Sequence, residues 1–134
     1  MRVALGLEYD GRFFEGWQTQ PSGRTVQDHL QEAIFKFTGE KVNAVCAGRT
    51  DAKVHASGQV VHIDTECERN DFSWVRGLNS YLEPTVAVRW AQYVPESFHA
   101  RFSAVSRTYQ YWISNEPVRS PLLAGRTGWV FRPL

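Results

Sequence analysis

Between Thr25 and Gly39 the apolar residues Val26, Leu30, Ala33, Ile34 and Phe37 recur at helical spacing, and no other segment constrains the fold as tightly. Gln27, Asp28, Gln31, Glu32 and Lys36 fall on the remaining faces. Thr25 followed three residues later by Asp28 resembles a capping box, and Gly39 suits the C-terminal cap, so the spacing predicts a helix that starts at Thr25 and ends at Gly39. A helix with one apolar stripe must bury it against another layer.

The flanking segments carry a period of two. Val3, Leu5 and Leu7 alternate with Ala4, Gly6 and Glu8, which predicts a strand ending near Tyr9, and "YDGRF" then supplies a turn. "KVNAVCAG" and "GQVVHIDT" read as two more strands, with the residues between them, 49–57, as a loop. Asn70 caps a second expected helix running through Leu82, with Trp74, Val75, Leu78 and Leu82 inward and a stop before Pro84; Gly77 weakens that helix. Val86, Val88 and Trp90 alternate in a fourth strand, and "SRTYQYWIS" alternates Tyr109, Tyr111 and Ile113 in a fifth. The order βαββαββ is best satisfied by two helices on one face of a mainly antiparallel sheet, a ferredoxin-like (RNA-recognition-like) α+β sandwich. The expected division is an α+β domain over residues 1–115 and an irregular segment over 116–134, where periodicity is lost.

At 134 residues the chain suits one core, and no apolar run approaches the roughly 20 residues needed to cross a bilayer. Glu8 and Asp10 interrupt the N-terminus before an apolar signal region can form, which makes a cytoplasmic location the expectation. Cys46 and Cys67 have no CxxC spacing and read as ordinary thiols. A net charge of +1 does not announce a nucleic-acid partner, so any phosphate-binding surface must come from local sorting of the 15 Lys and Arg.

Several chemistries fail on spacing. His29, His55, His62 and His99 have no partners at metal-ligand spacing, and no metal site is expected. Ser57, His55 and Asp51 lie too close together in one loop for a triad, and no GxSxG elbow is present. No glycine-rich fingerprint for a nucleotide appears. What remains is "AGRTDAKVHASGQVVH", residues 47 to 62. Asp51 can serve as a nucleophile or base if it is held ionised, and Arg49 two positions earlier can favour that form. The same pair reads equally as a turn with a surface ion pair of little worth. Tyr109 fits strand packing as well as a site, and Arg101 and Arg107 around Phe102 are compatible with phosphate contact and base stacking.

The stretches "ALGLEYDGRFFEGWQTQ", "CAGRTDAKVHASGQVVH" and "FHARFSAVSRTYQYWI" resemble the N-terminal half of the tRNA pseudouridine synthase A family. The resemblance makes Asp51 the catalytic aspartate, Arg49 the arginine that assists base flipping, and Tyr109 the tyrosine against the target uracil. It implies isomerisation of uridine to pseudouridine in the tRNA anticodon stem-loop, at positions 38 to 40, with no redox cofactor and no ATP. The C1′–N1 bond breaks, the uracil turns, and a C1′–C5 bond forms without loss of atoms; attack of the carboxylate at C6 or at C1′ both remain open. Lys53, His55, Arg101 and Arg107 are the further RNA-binding residues this reading selects. Lys53 stands where the family has Gly: either the loop bends differently to avoid a strained left-handed Lys, or Lys53 adds a cation beside the RNA backbone. Members of the family are about twice this long and act as homodimers, so the chain alone is expected to be folded but poorly active. The competing expectation is a non-catalytic RNA-binding module.

Overall fold

The computed structural model describes all 134 residues. Strand β1 (Arg2–Tyr9) is followed by a short 3-10 turn (Gly11–Phe13), helix α1 (Val26–Thr38), β2 (Val45–Cys46), β3 (Ala56–Asp64), helix α2 (Asp71–Tyr81) and β4 (Val86–Val94). The sheet order is β2-β3-β1-β4, with every neighbouring pair antiparallel. The fold is therefore α+β, as the periodicities predict. No helix is long and apolar enough to cross a membrane.

Both helices form where their caps place them. Thr25 accepts from the Asp28 amide at 3.1 Å and donates to the Asp28 carboxylate at 2.6 Å, while Gly39 takes φ 79° and closes α1 on the Phe35 carbonyl. Asn70 accepts from the Ser73 amide at 2.7 Å at the start of α2. The core joins Val3, Leu5 and Leu7 of β1 and Val61 and Ile63 of β3 to Leu30 and Ile34 of α1 and to Trp74 and Leu78 of α2. The helices meet through Phe37 and Trp74, whose rings lie 5.2 Å apart.

Two expectations fail in an informative way. The strand anticipated over "KVNAVCAG" is cut to Val45–Cys46 because glutamine side chains take over the backbone groups on both sides. Gln31 accepts from the Ala44 amide at 3.0 Å and Gln27 donates to the Ala44 carbonyl at 3.2 Å, while Gln59 occupies both backbone groups of Gly48. Gln27, expected on the polar side of α1, is accordingly buried. The fifth strand does not extend over "SRTYQYWIS". Only Ile113–Ser114 (β5) pairs, in parallel, with Gly128–Trp129 (β6), separate from the main sheet. Alternation sets which residues share a face, but a strand also needs a paired edge and a covered face. Tyr109 and Tyr111 are 67% and 94% exposed and have neither.

Candidate active site

The loop between β2 and β3 begins where their backbone ladder ends, at the bond from the Ala47 amide to the Val60 carbonyl, 2.8 Å. Beyond it Gly48 is held by Gln59: the carboxamide donates to the Gly48 carbonyl at 2.5 Å and accepts from its amide at 3.4 Å. Thr50 is held next. Its hydroxyl lies 2.8 Å from the buried Tyr9 hydroxyl, and its carbonyl accepts from the Trp17 amide at 3.0 Å. A turn then closes from the Val54 amide to the Asp51 carbonyl at 3.1 Å, with Lys53 inside it at φ 70°.

Lys53 thus adopts the left-handed conformation rather than re-bending the loop, at a cost of about 1–2 kcal/mol. Its ammonium lies 3.4 Å from the Arg12 carbonyl and is exposed. The β1–α1 connection closes on the loop from beneath, and two glycines allow the approach. A β-carbon on Gly11 would lie 2.0 Å from the Val54 carbonyl oxygen, and one on Gly16 would lie 2.9 Å from that of Thr50.

Arg49 and Asp51 flank Thr50, both exposed, and no salt bridge joins them. The surface ion pair that the sequence leaves open is not formed. The Asp51 carboxylate is presented to solvent at the tip of a loop whose backbone is fixed on both sides.

Basic residues converge at the start of this loop. Burial pushes the Cys46 thiol up, and the guanidinium groups of Arg49, Arg101 and Arg107 pull it back, which puts all three cations around the end of β2. Arg107 donates from Nε to the Ala47 carbonyl at 2.7 Å and from Nη2 to the Arg101 carbonyl at 2.9 Å. It ties the segment after β4 to the loop. That tie brings the Tyr109 hydroxyl to 3.1 Å from the position a β-carbon on Gly48 would take. Arg101 lies over Phe102, its guanidinium carbon 5.7 Å from the ring centre, and Phe102 stacks on His99 at 4.3 Å.

His55 has a different setting. Its Nδ1 accepts from the Gly11 amide at 3.0 Å and lies 3.2 Å from the Asp10 carboxylate, and its Nε2 lies 2.6 Å from the Gly125 carbonyl. Both ring nitrogens are engaged within the protein. The Arg12 guanidinium, bonded to Asp10, holds the Asp10 carboxyl down to about 2, so this anchor is anionic at any ordinary pH. Sequence reasoning did not single out Tyr9, Gly11, Gly16 or Gln59. All four lie inside the motif stretches, where a tyrosine and a glutamine on strands and two glycines near a turn have ordinary explanations.

No cluster of three or more His, Cys, Asp or Glu side chains is placed to hold a metal ion. The fold and the loop together define an α+β protein that presents an unbridged carboxylate on a loop whose start is surrounded by guanidinium ions. A family model described as tRNA pseudouridine synthase matches residues 7–103. The whole chain is 58% identical over 134 residues to the tRNA pseudouridine synthase A of Burkholderia mallei (strain SAVP1), and 58% identical to those of Burkholderia multivorans (strain ATCC 17616 / 249) and Burkholderia lata. In each case the match covers 100% of this chain and 50% of the relative, so the chain spans about half the length of the curated relatives it matches. The chain belongs to the tRNA pseudouridine synthase family.

Proposed function

We propose that this chain provides the catalytic loop of an enzyme that isomerises uridine to pseudouridine in the tRNA anticodon stem-loop, with residues 1–115 as the catalytic unit. The observation that carries the reading is the exposed, unbridged Asp51 carboxylate on a loop fixed at Gly48 and Thr50, with Arg49, Arg101 and Arg107 around the end of β2 where that loop starts. The target base must leave its stack, at a cost of a few kcal/mol, before any side chain reaches the glycosidic bond. Arg49 fills the vacated space and meets phosphate. Asp51 acts as the nucleophile or stabilises charge at the sugar while the C1′–N1 bond breaks and C1′–C5 forms. Tyr109 stacks on the turned base, and its hydroxyl assists loss of the C5 proton, while N1 gains one. Lys53 and Arg101 add phosphate contacts; Arg107 and His55 hold the segments that carry them.

Tritium release from C5-labelled uridine in tRNA tests this. Release that depends on Asp51 is expected in a chain extended to the length of its relatives, with slower release from the 134 residues alone. Normal release from Asp51→Ala sinks the proposal, and tRNA binding without release favours an RNA-binding module.

A further inference from the structure

The backbone that carries Arg49 and Asp51 is gripped from below by two side chains that belong to strands, and every hydrogen-bonding group in that grip is used. Gln59 is on β3, opposite Leu7 of β1, and is 7% exposed; Tyr9 ends β1 and is 4% exposed. One amide proton of Gln59 goes to the Gly48 carbonyl at 2.5 Å and the other to the Tyr9 oxygen at 3.4 Å, while its carbonyl accepts from the Gly48 amide. With its oxygen accepting from Gln59, the Tyr9 hydroxyl is free to donate to the Thr50 hydroxyl at 2.8 Å. The chain of bonds therefore reaches the residue before Arg49 and the residue before Asp51, and no buried side-chain polar atom in the molecule is left without a partner.

Such an arrangement is costly to keep unless it serves a purpose. An apolar pair would fill the same space between β1 and β3 without needing exact partners, since half-satisfied buried polar groups destabilise more than they help. It also replaces a backbone ladder: where a longer β2 would have paired with β3, a side-chain amide pairs with Gly48 and lets the chain turn away from the sheet.

We infer that Gln59 and Tyr9 are positioning residues for Asp51 and Arg49, setting the direction in which the loop presents the carboxylate to the RNA. The inference rests on the reading of Asp51 as the catalytic residue. Misplacement by about 1 Å costs on the order of a hundredfold in an oriented reaction, so loss of one bond in the chain should be read in turnover rather than in binding.

The test uses Tyr9→Phe, Thr50→Val, the double variant and Gln59→Glu in the full-length chain, with Asp51→Ala as control. Glu keeps the shape of Gln, but as a carboxylate it donates to neither Gly48 nor Tyr9, and protonated it supplies one donor where Gln supplies two. Expected for Tyr9→Phe and Gln59→Glu is a kcat lowered by about tenfold or more with KM for tRNA within about twofold, the pattern of lost transition-state alignment. The double variant should be no worse than the poorer single variant, because both remove one shared bond. Tyr9→Phe carries the test if Gln59→Glu does not fold. Wild-type kcat in Tyr9→Phe, additive losses in the double variant, or a raised KM at unchanged kcat overturns the inference while Asp51→Ala remains inactive. Full turnover by Asp51→Ala instead removes the reading on which it rests.

Discussion

The Cε1 atom of Phe37 in α1 lies 2.0 Å from where a β-carbon on Gly77 in α2 would sit. A glycine that weakens its own helix is thereby the residue that lets the two helices close, and the Phe37 ring fills its place beside Trp74. Local propensity and tertiary packing pull in opposite directions at this position.

Gly77→Ala separates them. Helix propensity favours Ala by about 1 kcal/mol, whereas overpacking a closed interface costs about 1–3 kcal/mol. The expected result in a denaturant titration is a net loss of up to about 2 kcal/mol. A stabilised variant would mean that Phe37 moves aside freely and that the helix contact is loose.

Lys53 carries a strain that glycine would not. Its φ of 70° costs about 1–2 kcal/mol for an L side chain, offset in a glycine variant by about 0.5–1 kcal/mol of extra freedom in the unfolded chain. Lys53→Gly is expected to stabilise the fold by up to about 1 kcal/mol in chemical denaturation. The same variant should bind tRNA more weakly, with the slope of log affinity against log salt reduced by about 1. An unchanged slope would show that Lys53 does not meet phosphate.

His62 predicts a loss of stability on mild acidification. Burial above all, with Arg2 and His99 nearby, lowers its pKa to about 4, although Asp64 pulls the other way. Its Nδ1 accepts from the Ala100 amide at 2.9 Å, a bond that needs that nitrogen unprotonated. The unfolded chain takes up this proton near pH 6.5, and the folded chain only near 4. The contribution is therefore complete above about pH 6.5 and is lost progressively as pH falls toward 4, by on the order of 1 kcal/mol once solvent screening is allowed for. Denaturant midpoints between pH 7.5 and pH 4.5 should show this slope, and His62→Gln should flatten it.

Arg107 predicts a difference between two cations of equal charge. It spans the Ala47 and Arg101 carbonyls with two separate guanidinium nitrogens, a reach that a single ammonium cannot reproduce. Arg107→Lys is expected to cut turnover about tenfold and to make the segment around Tyr109 more susceptible to proteolysis, with little change in the salt slope of tRNA binding. Unchanged cleavage and turnover would leave Arg107 as a phosphate contact alone.

Sequence legibility followed the range of the interactions. Helix α1 could be read to its caps because Thr25, Asp28 and Gly39 act within three or four residues of the groups they satisfy. Strands β1, β3 and β4 could be read because a period of two needs only a covered face, and the motif from Ala47 to His62 brought Arg49 and Asp51 to notice directly. The short β2, the unpaired "SRTYQYWIS", the packing role of Gly77 and the unbridged state of Arg49 and Asp51 could not be read. Each depends on a partner far along the chain: Gln27, Gln31 and Gln59 for β2, a missing sheet edge for residues 106–112, Phe37 for Gly77, and Tyr9 for Thr50. By itself, then, the sequence determined α1, α2 and strands β1, β3 and β4 and drew attention to Arg49 and Asp51, because periodicity, capping and a contiguous motif are local. Tertiary structure alone decided where β2 stops and which way Asp51 points, because those follow from hydrogen bonds between groups that only folding brings together.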